Sequence, residues 1–288
     1  MKVILDILIR FLYVCVGLIL MSAFVELFIR GIQLDTGLFL SNLVQILKSL
    51  VFPTTLSIIG PNGKEYSIFL QFWNHYFYSL SIFLSALLLA LAIGIGLAYL
   101  TTLLPEKRLQ FVSKTISLLE ALPDLFIIIV IQFGVLLYFK QTGTLLFPVA
   151  ATGNDKSFML PILALALIPT LMVYKVILFL VRDELGKPYV ILAKSKGFSK
   201  VYVFFRHILR NIAPSIFSHS KSIVLLLLSS MVIFERIFNI NGIFTFIITY
   251  PEPSVIAFTL ILFYLPIFLL YALVTLVINK TTGQRLEW

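Results

Sequence analysis

Residues 76–104 read YFYSLSIFLSALLLALAIGIGLAYLTTLL and contain no charged side chain. A spanning helix needs about 20 mainly apolar residues, so this stretch alone is long enough to cross a bilayer. Four further segments qualify. Ile116–Phe139 carries Glu120 and Asp124 near its start, Phe158–Val181 carries Lys175, Pro214–Phe234 carries Lys221, and Val255–Ile278 carries no charge. A sixth is Val3–Ile29, whose uncharged centre runs from Phe11 to Val25. It reads as an uncleaved span and not as a signal peptide. The apolar run is long, Asp6 interrupts the basic front, and Ser22-Ala23-Phe24 is a poor cleavage site. Composition agrees, with 60% hydrophobic residues, 12% charged residues and a mean hydropathy of +1.06. A soluble domain carries roughly 25% charged residues. The chain is therefore expected to be an all-α polytopic membrane protein with about six spans.

Leu38–Ile59 is apolar but interrupted by Lys48, Pro53 and several Ser, Thr and Asn residues. It reads either as an interfacial element or as a seventh span. The distribution of basic residues decides the count. With six spans, one side holds Lys2, Arg10, Lys107, Arg108, Lys114, Arg182, Lys187, Lys194, Lys196, Lys200, Arg206, Arg210, Lys280 and Arg285. The other holds Arg30, Lys48, Lys64, Lys140, Lys156 and Arg236. The positive-inside rule then puts both termini in the cytoplasm. The expected division is a first span plus extracytoplasmic segment over 1–74, a core over 75–280 with an inner loop at 182–213, and a cytoplasmic tail at 281–288. The net charge of +9 does not point to nucleic acid, because the basic residues fall between apolar segments. Single Cys15 lies in an apolar run, so no disulfide framework exists.

Enzyme chemistry finds no support. His75, His207 and His219 form no His-Glu-x-x-His pair, and no metal site is expected. Gly63-Lys64 and Gly186-Lys187 lack the rest of a P-loop. No cofactor is expected in this chain; if ATP drives it, ATP and Mg sit in partner subunits. Pro123, Pro161, Pro169 and Pro266 lie in or near spans, where they kink helices or open backbone to protein or water. Gly94-Ile95-Gly96 follows no strand, so close helix packing accounts for it better than nucleotide binding.

The loop Arg182–Ala213 carries seven basic side chains against Asp183 and Glu184. Val201, Phe204, Phe205, Ile208 and Ile212 recur at helical spacing, with Arg206, His207, Arg210 and Asn211 on the other side. A shorter helix is expected over Pro188–Lys196, with proline in a permitted first-turn position. Gly197 separates the two, and Ser199 suits an N-cap. Ala193 and Gly197, four apart, supply small residues for close approach. Such a unit serves either as an interfacial helix on anionic lipid or as a helix–Gly–helix plug that docks on a partner.

Tyr189-Val190-Ile191-Leu192-Ala193-Lys194-Ser195-Lys196-Gly197-Phe198-Ser199, followed by Arg206-His207-Ile208-Leu209-Arg210-Asn211, resembles the EAA loop of bacterial ABC-importer permeases. The likeness is greatest to the dipeptide/oligopeptide/nickel branch. Val232–Gly242 resembles that branch's Glu-x-x-Phe-x-x-x-Gly segment through Glu235, Phe238 and Gly242. Ile191 stands where an acid is usual, Ser195 where alanine is, Asn241 where proline is common, and Phe244 where a second glycine is. The resemblance implies the MetI-like transmembrane domain of a type I ABC importer. Its partners would be a second permease subunit in a heterodimer, two ABC ATPases, an extracellular substrate-binding protein and membrane lipid. Tyr189, Ala193, Lys194, Ser195, Lys196, Gly197, Phe198, Ser199, Arg206, His207, Arg210 and Asn211 would form the coupling loop to the ATPase. Rigid-body motion would give alternating access to peptides, nickel or metal chelates. Intramembrane charges usually face a cavity or each other. Glu120, Asp124, Lys175 and Glu235 are accordingly candidates for a gate or polar path, with local ion pairing as the other reading. An ion-coupled secondary transporter and a non-transporting assembly subunit are the alternative functions.

Overall fold

The computed structural model describes residues 2–29, 36–60, 62–152 and 155–282. Arg30 and, from residue 283 on, the expected tail with Arg285 lie outside the described residues. The elements are α1 (Lys2–Ile29), α2 (Thr36–Val51), β1 (Ser57–Ile59), β2 (Glu65–Ser67), α3 (Phe69–Thr102), α4 (Glu106–Glu120), α5 (Asp124–Thr142) and α6 (Met159–Leu185). They continue with α7 (Pro188–Ser195), α8 (Lys200–Ile237), α9 (Ile243–Thr249) and α10 (Pro253–Thr282). Among the described residues six segments are long and apolar enough to cross a membrane: Leu5–Val25 of α1, then α3, α5, α6, α8 and Pro253–Lys280 of α10.

Two compact units are present. The first comprises Met1–Leu80 and Asn241–Leu276. In it, Ala23 of α1, Ile46 of α2 and Ala257 of α10 form a buried cluster with Ile19, Phe39, Leu43 and Leu50 against it. Phe11 of α1 meets Phe268 of α10, with ring centroids 4.7 Å apart. The awkward 38–59 segment splits: α2 stops at Val51, short of a span, and a two-stranded hairpin follows. Ser57 pairs with Ser67, Ile58 with Tyr66 and Ile59 with Glu65. Gly63, at φ 72°, makes the turn and donates to Gly60 O at 2.9 Å. The second span starts at Phe69, seven residues before the uncharged run, so position 74 lies inside a helix. Near it, buried Ser79 accepts from Ile243 N at 2.7 Å and thereby caps α9, a short helix that hydropathy did not predict.

The second unit comprises Ser81–Ile240 and Val277–Trp288. Its centre is α6, where Val173, Tyr174, Ile177 and Val181 are buried. Pro169 cannot donate to the carbonyl four residues back, and Thr170 Oγ1 bonds Ala166 O at 2.7 Å. Against this stretch packs Gly94. A Cβ there would stand 2.5 Å from Val173 Cγ1 and 3.2 Å from Thr170 O, whereas one at Gly96 would meet nothing within 4 Å. Close packing thus belongs to Gly94 alone of the pair.

Two expectations need correction. Ile116–Phe139 is not one helix. α4 ends at Glu120, Pro123 is extended at ψ 136°, and α5 begins at Asp124. Proline drives the preceding residue out of the helical region, so Glu120 and Asp124 share no helical face. The reverse occurs at Pro214, which is absorbed: the amphipathic segment and the fifth span form the single 38-residue α8. At 1.5 Å per residue this rod is about 57 Å long, well beyond the ~30 Å hydrocarbon core.

Gly94→Leu should destabilise the protein by about 1–3 kcal/mol through overpacking against Val173, and Gly96→Leu should not. Thermal unfolding of the two variants in detergent checks this; equal melting temperatures would contradict the contact.

Candidate functional site

The turn between α7 and α8 is built by two opposed caps. α7 begins with Pro188 at its first position, where a missing N–H costs nothing. It ends in a six-residue closure: Phe198 N donates to Ala193 O at 3.3 Å, and Gly197 N to Lys194 O at 3.0 Å. That Schellman arrangement needs a left-handed residue at Gly197, whose φ is 79°. Two residues on, the Ser199 side chain accepts from Tyr202 N at 3.3 Å and starts α8. Within the chain a Cβ at Gly197 would meet nothing within 4 Å. Backbone conformation, not crowding, requires glycine here.

Glu184, at the foot of α6 and only 8% exposed, holds the loop in place. Its carboxylate accepts from Lys187 Nζ and from Tyr189 OH. Burial first, and then the bond to Glu184, push the Tyr189 phenol up to about 12, while an Asn211 hydrogen bond opposes them. One carboxylate thus ties α6 to α7, and Asn211 extends the network to α8. In the sequence Glu184 stands only as an acid among basic residues; its position five before a tyrosine is the available signal.

The first turns of α8 differ from the expected amphipathic pattern. A π-helical stretch runs over Val203–Ile208, with Leu209 N donating to Phe204 O five residues back. This shifts the register, so Val203, Phe204, Ile208 and Ile212 are buried while Val201 and Phe205 are exposed. Tyr99 of α3 packs on Phe204, ring centroids 5.1 Å apart. His207 lies beside the paired Phe198 and Tyr202 rings, its centroid 6.1 and 5.6 Å from theirs. Val190 and Ala193 face inward, leaving Ile191 (57% exposed), Leu192 (55%), Phe198, Val201 and Tyr202 at the surface. Lys194, Ser195, Lys196, Arg206, Arg210 and Asn211 are exposed around them.

At the far end of α8 the same closure recurs. Ile240 N donates to Glu235 O at 2.7 Å and Asn239 N to Arg236 O at 3.3 Å, with Asn239 at φ 50°. Asparagine is among the few residues that tolerate this geometry. Its Nδ2 donates to Ala151 O, and Ala151 N to Phe238 O, both at 2.9 Å. Glu235 is 1% exposed. The candidate charges separate: Lys175 of α6 pairs with Glu120 at the end of α4, while Asp124 accepts from Ser230 Oγ at 3.3 Å. Among the described residues no group of three or more His, Cys, Asp or Glu could hold a metal.

Residues 90–282, which take in both capped turns, match the model of the binding-protein-dependent transport system inner membrane component. The chain belongs to this family. Membership agrees with the all-α, six-span architecture of a type I importer domain and makes the chain a multi-pass inner-membrane transport component. It is also 28% identical over 146 residues to the dipeptide transport system permease protein DppB of Lactococcus lactis subsp. cremoris (strain MG1363). The alignment covers 49% of this chain and 48% of that protein, so the chain spans about half the length of the curated relative it matches.

Gly197→Ala should loosen α7 by about 1–2 kcal/mol through the left-handed backbone, and Gly197→Asn by less. Amide hydrogen exchange over residues 188–195 reads this. Equal exchange in both variants would show that the cap is dispensable.

Proposed function

We propose that the chain is the pore-forming permease subunit of an ATP-driven importer of peptides or related small solutes. The observation that carries this is the exposed apolar surface of Ile191, Leu192, Phe198, Val201 and Tyr202, presented at a doubly capped turn of a family member. Contiguous apolar surface rimmed by charge marks an interaction site. In the proposed assembly α7 seats in a groove of an ABC ATPase, which holds ATP and Mg. A second, different permease subunit completes the path, and an extracellular binding protein delivers the solute. Both termini and the 182–213 loop are cytoplasmic, as the basic-residue distribution favours. Peptide is the favoured cargo because the DppB relative is a dipeptide permease; nickel or a metal chelate is the second reading. Closure of the ATPases would move α7, and the Glu184 network would pass that motion to α6 and α8 together.

Leu192→Asp should reduce co-purification of the ATPase subunits about tenfold or more, since a carboxylate against an apolar groove loses at least ~1.4 kcal/mol. Glu184→Gln should instead leave the ATPase bound and raise ATP consumed per solute moved. Undiminished co-purification of Leu192→Asp would overturn the docking surface. Labelling of Lys200→Cys by an impermeant thiol reagent in intact cells would overturn the orientation.

A further inference from the structure

We infer that the segment between the first two spans carries a binding site for a small zwitterion of the amino-acid or short-peptide class. The site is a cavity of about 290 Å³ formed by α2, the hairpin and the start of α10. At ~30 Å³ per water molecule it holds roughly ten. That is too large for a bare ion and sits at the small end of solute pockets, ~300 Å³.

Its walls carry both signs of charge on separate elements: Lys48 on α2, Glu65 on β2, and Glu252 immediately before α10. Among the described residues neither Lys48 nor Glu252 forms an ion pair. Among the described residues the Glu65 carboxylate accepts from the Ser57 hydroxyl, 3.5 Å away. Glu252 is the most exacting of the three. Its backbone carbonyl is used by Ile256 N at 3.0 Å, but its Oε2 is shielded from water and has no hydrogen-bond partner. A carboxylate in that condition carries an unanswered charge, and an ammonium in the cavity that Glu252 lines offsets it.

Lys48 makes the complementary demand. It is exposed, unpaired and positioned to meet a carboxylate. Gln45 and Ser254 add neutral polar groups, and Val255 with Leu56 adds an apolar patch for a side chain. A divalent metal fits poorly: no group of three or more metal-ligating residues gathers among the described residues, and an ammonium stands in the wall. A molecule with one free ammonium, one free carboxylate and a short body satisfies the whole lining. The peptide end of that class rests on the function proposed above; the demand for paired opposite charges does not.

The test is ligand-observed saturation-transfer NMR on the full chain in lipid nanodiscs, titrated with alanyl-alanine, its N-acetyl form and its C-amide. Saturable binding of the free dipeptide is expected. Acetylation or Glu252→Gln should each weaken it at least tenfold, and the acetylated dipeptide should not distinguish wild type from Glu252→Gln. Amidation and Lys48→Gln should behave as the matching pair. Circular dichroism confirms that the variants fold. Absence of saturable binding, or equal binding of free and capped dipeptides, would overturn the site. So would loss of binding-protein docking in Glu252→Gln when the dipeptide itself does not bind, because the cavity would then receive a protein side chain. Dipeptide uptake by the reconstituted assembly separates the two proposals. Binding without uptake removes the transport reading and leaves the site; uptake without binding removes the site.

Discussion

Inside a bilayer no water is available to bond an exposed N–H or C=O, and every interruption of a helix must be closed by the protein itself. Several breaks among the described helices are closed in this way, inside the spans and at their ends alike. Ala121 and Leu122 turn back on Leu118 and Leu119 before Pro123. α5 ends on left-handed Gly143, whose N–H reaches Phe139 O at 2.8 Å. α7 and α8 close on Gly197 and Asn239, and α9 opens on the Ser79 hydroxyl. The two stretches that most resemble the transport family are therefore, physically, two copies of one device. Each lets a helix stop abruptly without leaving carbonyls open.

That device governs what α8 can do. With a firm cap at each end and Pro214 absorbed between them, α8 is a rod of 38 residues and not a surface helix linked to a span. The rod joins the Ser199 cap to the Asn239 turn, which Ala151 holds through two hydrogen bonds. The π-helical stretch over Val203–Ile208 is the least regular part of the rod, and it lies against Tyr99. On the proposed reading, the ATPase pushes on one end of a stiff lever whose far end lies about 57 Å away, and α6 follows through Glu184.

The six spans were legible because length and apolarity suffice to show them, and a run such as residues 76–104 permits little else. The α7–α8 turn was legible because Pro188, Gly197 and Ser199 each have a narrow stereochemical use. The break at 121–123 was not, since a three-residue interruption leaves the apolar run intact. Pro214 misled in the other direction, because neighbouring packing can hold a helix through a proline. Glu184 and Gly94 depended on tertiary neighbours, Tyr189 and Val173, that no local pattern names. The 57–67 hairpin is too short for alternation to stand out.

The membrane charges constrain where a solute could pass. Lys175 is answered by Glu120, Asp124 by Ser230, and Glu235 is buried, so none of the four candidates stands as an isolated charge at an open path. The cavity beside Asp124, between Ile128, Ala164 and Ser230, has a volume of about 10 Å³, room for a single water. A charge satisfied within its own subunit holds helices together, because removing its partner would strand it in a low-dielectric medium. The second unit pairs these polar residues within itself and leaves α5 with an exposed apolar face of Phe126, Ile129, Val130 and Phe133. Such a face meets lipid or another apolar helix, and no passage wide enough for a peptide is enclosed beside Asp124. Under the proposed function, the conduit at this level is formed only when a second subunit supplies the opposite wall.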